Sequence, residues 1–305
     1  MDVLVVGAGI IGLTCAVRLR EAGARVAVLA ADPPAATTSA VAAAVWYPTR
    51  IDADPRVLGW ARRTFDVLTA QTADGVPGTA ARPTRMVIRD PAATTPWWAA
   101  AVPDLVIRPG EWRFTVPAVE MGPYLAHLAA RVGAIEPRRI GAFAELAGAA
   151  AVVVNATGLA AGRLADDPAV HPVRGQVVRV ANPGLTTSVR DEEHPDGAVY
   201  VHPRRADVVL GGTFEPGATD LAPRPEVAEA ILRRCAAVVP EVAGARVLGH
   251  AVGLRPSRHG GPRVEVDPVG LPGGTRLVHA YGHGGAGVTL SWGCADEVVG
   301  LALGP

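Results

Sequence analysis

Gly7-Ala8-Gly9-Ile10-Ile11-Gly12 stands near the start of the 305-residue chain, and its three glycines have the spacing of a phosphate-binding turn. In a G-x-G-x-x-G turn the first glycine allows the sharp bend, the second lets backbone approach a pyrophosphate, and the third lets helix pack on strand. The helix leaving such a turn offers free N–H groups and a partial positive charge to phosphate oxygens. Asp32 follows Gly12 by twenty residues, an interval at which an acid can meet a ribose hydroxyl. It is slightly off pattern, because Ala30 and Ala31 intervene between the second apolar run and the acid. A glycine turn that binds nothing would need neither the flanking runs nor the acid. Together they point to a dinucleotide site.

Other side chains could act on a small substrate. Arg255 lies in Gly253-Leu254-Arg255-Pro256. Its planar fork suits bidentate capture of a carboxylate, which lysine could not imitate, although the commonest fate of an arginine is a surface ion pair. Tyr200 is one of only four tyrosines and lies on an alternating run; it is read as a hydroxyl donor or as a core residue with its hydroxyl bonded. His279 and His283 are four apart but flank a glycine turn, with no carboxylate to complete a ligand set, so no metal is expected. Ser39 and Ser291 sit in no nucleophile elbow, which leaves serine hydrolysis unsupported. None of the 29 basic residues is a lysine, which excludes a Schiff-base mechanism.

The elements that would position these groups follow from periodicity. Val3–Val6 reads as a strand buried on both faces, Leu13–Leu19 as a helix stopped near Gly23, and Arg25–Leu29 as a second strand. Asp54-Pro55 reads as the N-cap and first residue of a helix reaching about Ala70, with Val57, Trp60, Phe65 and Leu68 inward. Short β-like runs between prolines fill 75–117, and Met121–Val132 is a helix stopped by Gly133. A further buried strand spans 150–158, and a hairpin-like pair covers 198–202 and 208–212. Pro225–Val239 is helical. Arg276–Tyr281 is a strand, Gly282–Gly287 a turn and Val288–Leu303 a helix, so a second helix N-terminus can face a ligand held by the first.

Composition sets the frame. Hydrophobic residues at 49% and charged residues at 19% describe a globular protein large enough for two domains. A formal net charge of zero suggests neither nucleic acid nor an anionic membrane as partner. Cys15, Cys235 and Cys294 are too far apart for a C-x-x-C pair and fit a reducing compartment. With no basic leader and no apolar run of spanning length, a cytoplasmic location is expected. The oligomeric state stays open, a homo-oligomer included.

The stretch Leu277–Ala295 resembles the signature of the D-amino-acid oxidase family, through His279, Tyr281, Gly282, Gly284, Gly285, Gly287, Gly293 and Ala295. The resemblance extends over essentially the whole chain. Val6–Leu13, Trp46-Tyr47-Pro48, Val154–Gly158, Arg174-Gly175-Gln176, Leu210–Phe214 and Gly253–Pro256 occur in the family's order. It implies an α/β chain: a discontinuous Rossmann-type FAD-binding domain (1–50, 133–175 and 260–305) and a substrate-binding domain with a large, mostly antiparallel sheet (51–132 and 176–259). It further implies non-covalent FAD and oxidation of neutral D-amino acids, by hydride transfer from Cα to flavin N5. Molecular oxygen would reoxidise the flavin to give hydrogen peroxide, and the imino acid would hydrolyse to a 2-oxo acid and ammonia.

Carried over by position, the resemblance gives Gly7, Gly9 and Gly12 to the pyrophosphate and Asp32 to the adenosine ribose. Thr37, Thr38, Val41, Ala42, Ile140 and Thr157 would line the cofactor, and Gly284, Gly285, Val288 and Thr289 would face the isoalloxazine. Ala8, Ile10, Ile11, Gly158, Gly282 and Gly287 complete the implied cofactor contacts. Arg255 and Tyr200 would take the substrate carboxylate, the Gly285 carbonyl the substrate amine, and Tyr47 and Phe214 would border the substrate. The alternatives are a D-aspartate oxidase, or a flavin-binding protein without activity; a nicotinamide dehydrogenase would leave Leu277–Ala295 unexplained. Phe214, where aspartate oxidases resembling this chain carry an arginine, argues for neutral substrates. Arg190 pulls the other way, unless the following Asp191, Glu192 and Glu193 hold its charge in a solvated pair.

Overall fold

Val3-Leu4-Val5-Val6 forms β1 with all four residues buried, and the glycine turn carries the chain into α1 (Ile10–Glu21) and β2 (Val26–Ala30). The computed structural model describes residues 1–48 and 56–304. After the single-turn α2 (Thr38–Val41), α3 runs Val57–Ala73 and buries Val57, Trp60, Phe65 and Leu68. The helix start read at Asp54-Pro55 lies outside the described residues. Next come β3 (Thr79–Val87), β4 (Val106–Arg108), β5 (Glu111–Val119) and α4 (Met121–Val132). They are followed by β6 (Ile135–Pro137), β7 (Val152–Asn155), α5 (Ala161–Leu164) and β8 (Val170–Ala181). A run of strands follows: β9 (Ser188–Asp191), β10 (Val199–Pro203), β11 (Asp207–Gly211) and the short β12 (Glu215–Pro216). The chain closes with α6 (Pro225–Val238), β13 (Val247–Arg258), β14 (Arg263–Val266), β15 (Arg276–Tyr281) and α7 (Gly287–Leu303).

Two sheets organise these elements. The first has the order β14-β15-β7-β1-β2-β6, parallel except for β14 against β15. Its near-continuous apolar strands are those of a sheet covered on both faces. β1 sits between β2 and β7, so strand order reverses there, and ligands of open α/β sheets bind at such a point beyond the strands' carboxyl ends. The glycine turn leaves β1 at that end.

The second sheet has the order β12-β8-β11-β10-β9-β3-β5-β4, with β13 on the other edge of β8; only β3 and β9 pair in parallel. The twelve-residue β13 was not legible as a strand, because Gly249, Gly253 and Pro256 interrupt its pattern and only pairing with β8 holds it extended. Helices α3 and α4 come from segments that the sequence places with this sheet, yet α3 packs on α7 and α4 on α1. One hydrophobic core is thus continuous from the parallel sheet through all four helices to Phe114 and Val116 of β5.

Candidate active site

The first turn is set by sterics. Gly7 has φ +121°, and a Cβ there would overlap the Ala156 carbonyl oxygen beyond β7. Gly12 needs its hydrogen for another reason: a Cβ would overlap the Gly7 carbonyl, so α1 lies directly on the turn. Gly12 is absent from the cavity wall, in keeping with the helix-packing role of the third glycine. Ser39 accepts a hydrogen bond from the Ile10 N–H at 3.0 Å and caps the start of α1 from the loop after β2. Nothing in its local sequence signals this, since the bond spans 29 residues.

Every other site residue read from the sequence lines one cavity of about 540 Å³. Asp32 and Ile140 lie on its wall. Asp32 is exposed, two residues beyond the end of β2, with Arg139 at 3.5 Å. Thr37, Thr38, Val41 and Ala42 come from the loop around α2, and Thr157 and Gly158 from the turn after β7. The Thr157 hydroxyl and N–H both donate to Asn155 Oδ1, at 2.7 and 3.2 Å. Gly282, Gly284, Gly285, Gly287, Val288 and Thr289 come from the turn into α7. Thr289 fixes that end of the wall: its hydroxyl accepts from the Tyr47 N–H at 3.1 Å and reaches the Tyr47 carbonyl at 3.3 Å.

The two histidines of the last motif face different partners. His279 bridges Asp267 Oδ2 at 3.0 Å and Asn155 Nδ2 at 3.2 Å, which stabilises the β14–β15 loop and the end of β7. His283 lies on the cavity wall with Nε2 3.2 Å from Cys294 Sγ. Burial pushes its pKa down to about 4, so the ring is neutral at pH 7.

Arg255 projects from β13 with Nη1 donating to the carbonyls of Arg174 at 3.3 Å and Thr213 at 3.2 Å. Its guanidinium lies flat against Gly175, where a Cβ would overlap both terminal nitrogens. Among the described residues no carboxylate forms an ion pair with it, and it lines the cavity. A fixed, unneutralised fork of this kind is a carboxylate receptor. The neighbouring Arg174 is fully buried and entirely occupied, by Glu215, Gln176 and the carbonyls of Asp220 and Ala222. The first residue of the Arg-Gly-Gln motif therefore holds β8 to the β12–α6 connection and leaves the cavity to Arg255.

Tyr200 is on β10, packed against the bare backbone of Gly211 and stacked on His202 with ring centroids 5.0 Å apart. Burial raises its phenol above the ordinary tyrosine value, against the pull of Arg255 and Arg190, so the hydroxyl stays a proton-bearing donor. Phe214 borders the cavity with the Arg255 guanidinium 5.8 Å from its ring centroid. Tyr47, opposite, directs its hydroxyl to Met86 Sδ at 3.4 Å.

The sequence leaves Arg190 between substrate contact and a pair with the acids that follow it. It is only 8% exposed and lines the cavity beside Tyr200, its cross-strand neighbour, with its guanidinium carbon 4.1 Å above the Tyr47 ring. Its Nη2 pairs with Glu192 Oε1 at 2.6 Å, so the pair is buried in the wall rather than solvated. Asp191 is committed elsewhere, to Arg89. His202, 2% exposed and held neutral by burial and by the charges of Arg190 and Arg82, completes this part of the wall. Neither His202 nor Glu192 could be placed there without knowing that β9 and β10 pair.

The FAD dependent oxidoreductase family matches the chain over residues 2–112 and 126–301. The chain is 49% identical over 312 residues to the D-amino-acid oxidase of Rubrobacter xylanophilus, covering 98% of this chain and 95% of that protein. It is 44% identical over 315 residues to the D-amino-acid oxidase of Streptomyces coelicolor, covering 99% and 96%. In fold it is similar to the glycine oxidase of Geobacillus kaustophilus, with TM-score 0.80 at 22% identity over 99% of this chain and 94% of that one.

Proposed function

The chain belongs to the FAD dependent oxidoreductase family, and from that premise we propose that it is a D-amino-acid oxidase acting on neutral D-amino acids, with O2 as acceptor. The observation that carries this reading is the single cavity joining two glycine turns, each leading into a helix, to the Tyr200 hydroxyl and to Arg255, which no carboxylate among the described residues neutralises. FAD fits the residues present. The glycine turn leaves the α1 N-terminus open to a pyrophosphate, Asp32 stands within the same wall for a ribose, and the α7 N-terminus faces the other part of the cavity. Bound there, FAD supplies the two-electron acceptor for the hydride that leaves the substrate Cα.

The protein's part is positioning and electrostatics. Arg255 takes the substrate carboxylate through its fork, and the Tyr200 hydroxyl donates a further hydrogen bond to it. The Gly285 carbonyl accepts from the substrate amine, so carboxylate, amine and Cα hydrogen are fixed together and one enantiomer is presented. The backbone N–H groups that open α7 stabilise the negative charge that arrives with the electrons. Among the described residues no helix is long and apolar enough to cross a membrane. A cytoplasmic location belongs to the same reading, supported by three buried cysteines that form no disulfide.

Two measurements test it. Acid precipitation of the purified protein should release FAD into the supernatant; flavin retained in the pellet, or none at all, refutes non-covalent FAD. Peroxide should form with D-alanine and not with L-alanine. Equal rates on the two enantiomers would remove the assignment.

A further inference from the structure

The cavity wall beside Tyr200 holds a charge pair that the reaction outlined above leaves without a task. Arg190 and Glu192 both line the cavity, at 2.6 Å from one another, with Arg190 stacked on Tyr47 at 4.1 Å and its Nη1 3.4 Å from His202 Nε2. Their side chains are only 9% and 19% exposed, and the short turn after β9 places Glu192 two residues from its partner. The contrast with Arg255, whose charge meets no carboxylate in the described residues, is the informative feature. Of the two arginines beside Tyr200, Arg255 is left open for an anion and Arg190 is answered by the chain itself.

We propose that the Arg190–Glu192 pair is the side-chain specificity device of this site: it admits neutral side chains, carboxamides included, and turns away the isosteric carboxylates. The inference rests on the D-amino-acid oxidase reading and deepens it. A substrate anchored by its α-carboxylate at Arg255 and Tyr200 extends its side chain along a wall that includes Arg190, the cross-strand neighbour of Tyr200. A carboxylate arriving there leaves water and meets an anion as near as the cation, so desolvation is not repaid. A carboxamide of the same shape sheds far less hydration and finds the polarised guanidinium–carboxylate surface suited to a neutral dipole. Glu192 thus works by repulsion, and Arg190 holds it in place within the wall.

Steady-state kcat/KM for the isosteric pair D-asparagine and D-aspartate, with D-alanine as reference, tests this on the flavin-loaded protein. Wild type should favour D-asparagine by about tenfold or more. Glu192→Gln, which keeps shape and removes the charge, should narrow that ratio by about tenfold by raising activity on D-aspartate. Arg190→Met, which removes the cation at 2.6 Å from Glu192, should widen it, and this second variant decides the matter if Glu192→Gln does not retain flavin. A ratio unmoved by either substitution overturns the proposal, as does a wild type that takes D-aspartate as readily as D-asparagine or oxidises neither. Failure of wild type to oxidise D-alanine would instead strike the underlying functional reading, so the two failures are distinct.

Discussion

Arg255→Met removes a cavity-lining cation that no described carboxylate neutralises, and the structure sets the size of the effect. The wild-type guanidinium is already ordered by the Arg174 and Thr213 carbonyls, at 3.3 and 3.2 Å, and by the flat backbone of Gly175. Little side-chain entropy remains to be lost when substrate arrives, so most of a bidentate charge-assisted pair should appear as binding. Methionine leaves the substrate carboxylate desolvated and without its partner, at a cost of about 2–5 kcal/mol. In kcat/KM for D-alanine that is a fall of roughly thirtyfold to several thousandfold, taking 1.36 kcal/mol per factor of ten. The two carbonyls also lose their donor, which should lower the melting temperature, but bound flavin should remain at wild-type stoichiometry because Arg255 takes no part in the glycine turns. Arg255→Lys should recover part of the loss, since it restores charge without the fork. The measurement is kcat/KM on preparations matched for flavin absorbance. Near-normal kinetics in fully flavin-loaded Arg255→Met would refute the role given to this residue.

Tyr200→Phe should lower kcat/KM by only about 1 kcal/mol, near fivefold, because one neutral hydrogen bond is lost while Arg255 stays; a loss as large as that of Arg255→Met would contradict this division. Gly9→Ala should fold, since its Cβ would meet only Ser39 Oγ at 3.2 Å, yet bind FAD about tenfold more weakly or worse because a methyl intrudes where the pyrophosphate approaches; unchanged affinity by flavin titration would remove the turn from the cofactor site. Gly7→Ala should instead fail at the level of folding, seen as a lower melting temperature, because φ is +121° and the Cβ overlaps the Ala156 carbonyl. His283 is held at about 4 in the fold against an ordinary 6.5. The unfolded chain therefore takes up the proton first as pH falls, and stability that is full above about pH 6.5 declines until about pH 4, by up to about 3 kcal/mol. His283→Gln should flatten the difference between urea midpoints at pH 7 and pH 5, and an undiminished difference in the variant would show that this ring does not govern it.

The sequence alone determined whatever is built from neighbours along the chain. The G-x-G-x-x-G turn, the strands beside it, α4 with its Gly133 stop and the strand–turn–helix at 276–303 are legible locally, because helix bonds close within a few residues and a strand buried on both faces shows as a continuous apolar run. The resemblance carried by Leu277–Ala295 and the ordered motifs then reached the family and, with it, residues on every side of the cavity's two glycine turns. What tertiary structure decided are the contacts whose partners lie far apart. Arg255 is fixed by carbonyls 81 and 42 residues away, and β13 is a strand only because β8 pairs with it along its length. The packing role read for the third glycine of the turn acquires its partner, the Gly7 carbonyl, only in the folded chain. The Arg190–Glu192 pair is near in sequence but not foreseeable as a buried wall, because three adjacent acids offer the same charge and only strand alternation turns Asp191 to Arg89 and leaves Glu192 at the cavity. Local spacing encodes which backbone a segment can adopt; which charges share a desolvated space is settled when the sheets pair and close.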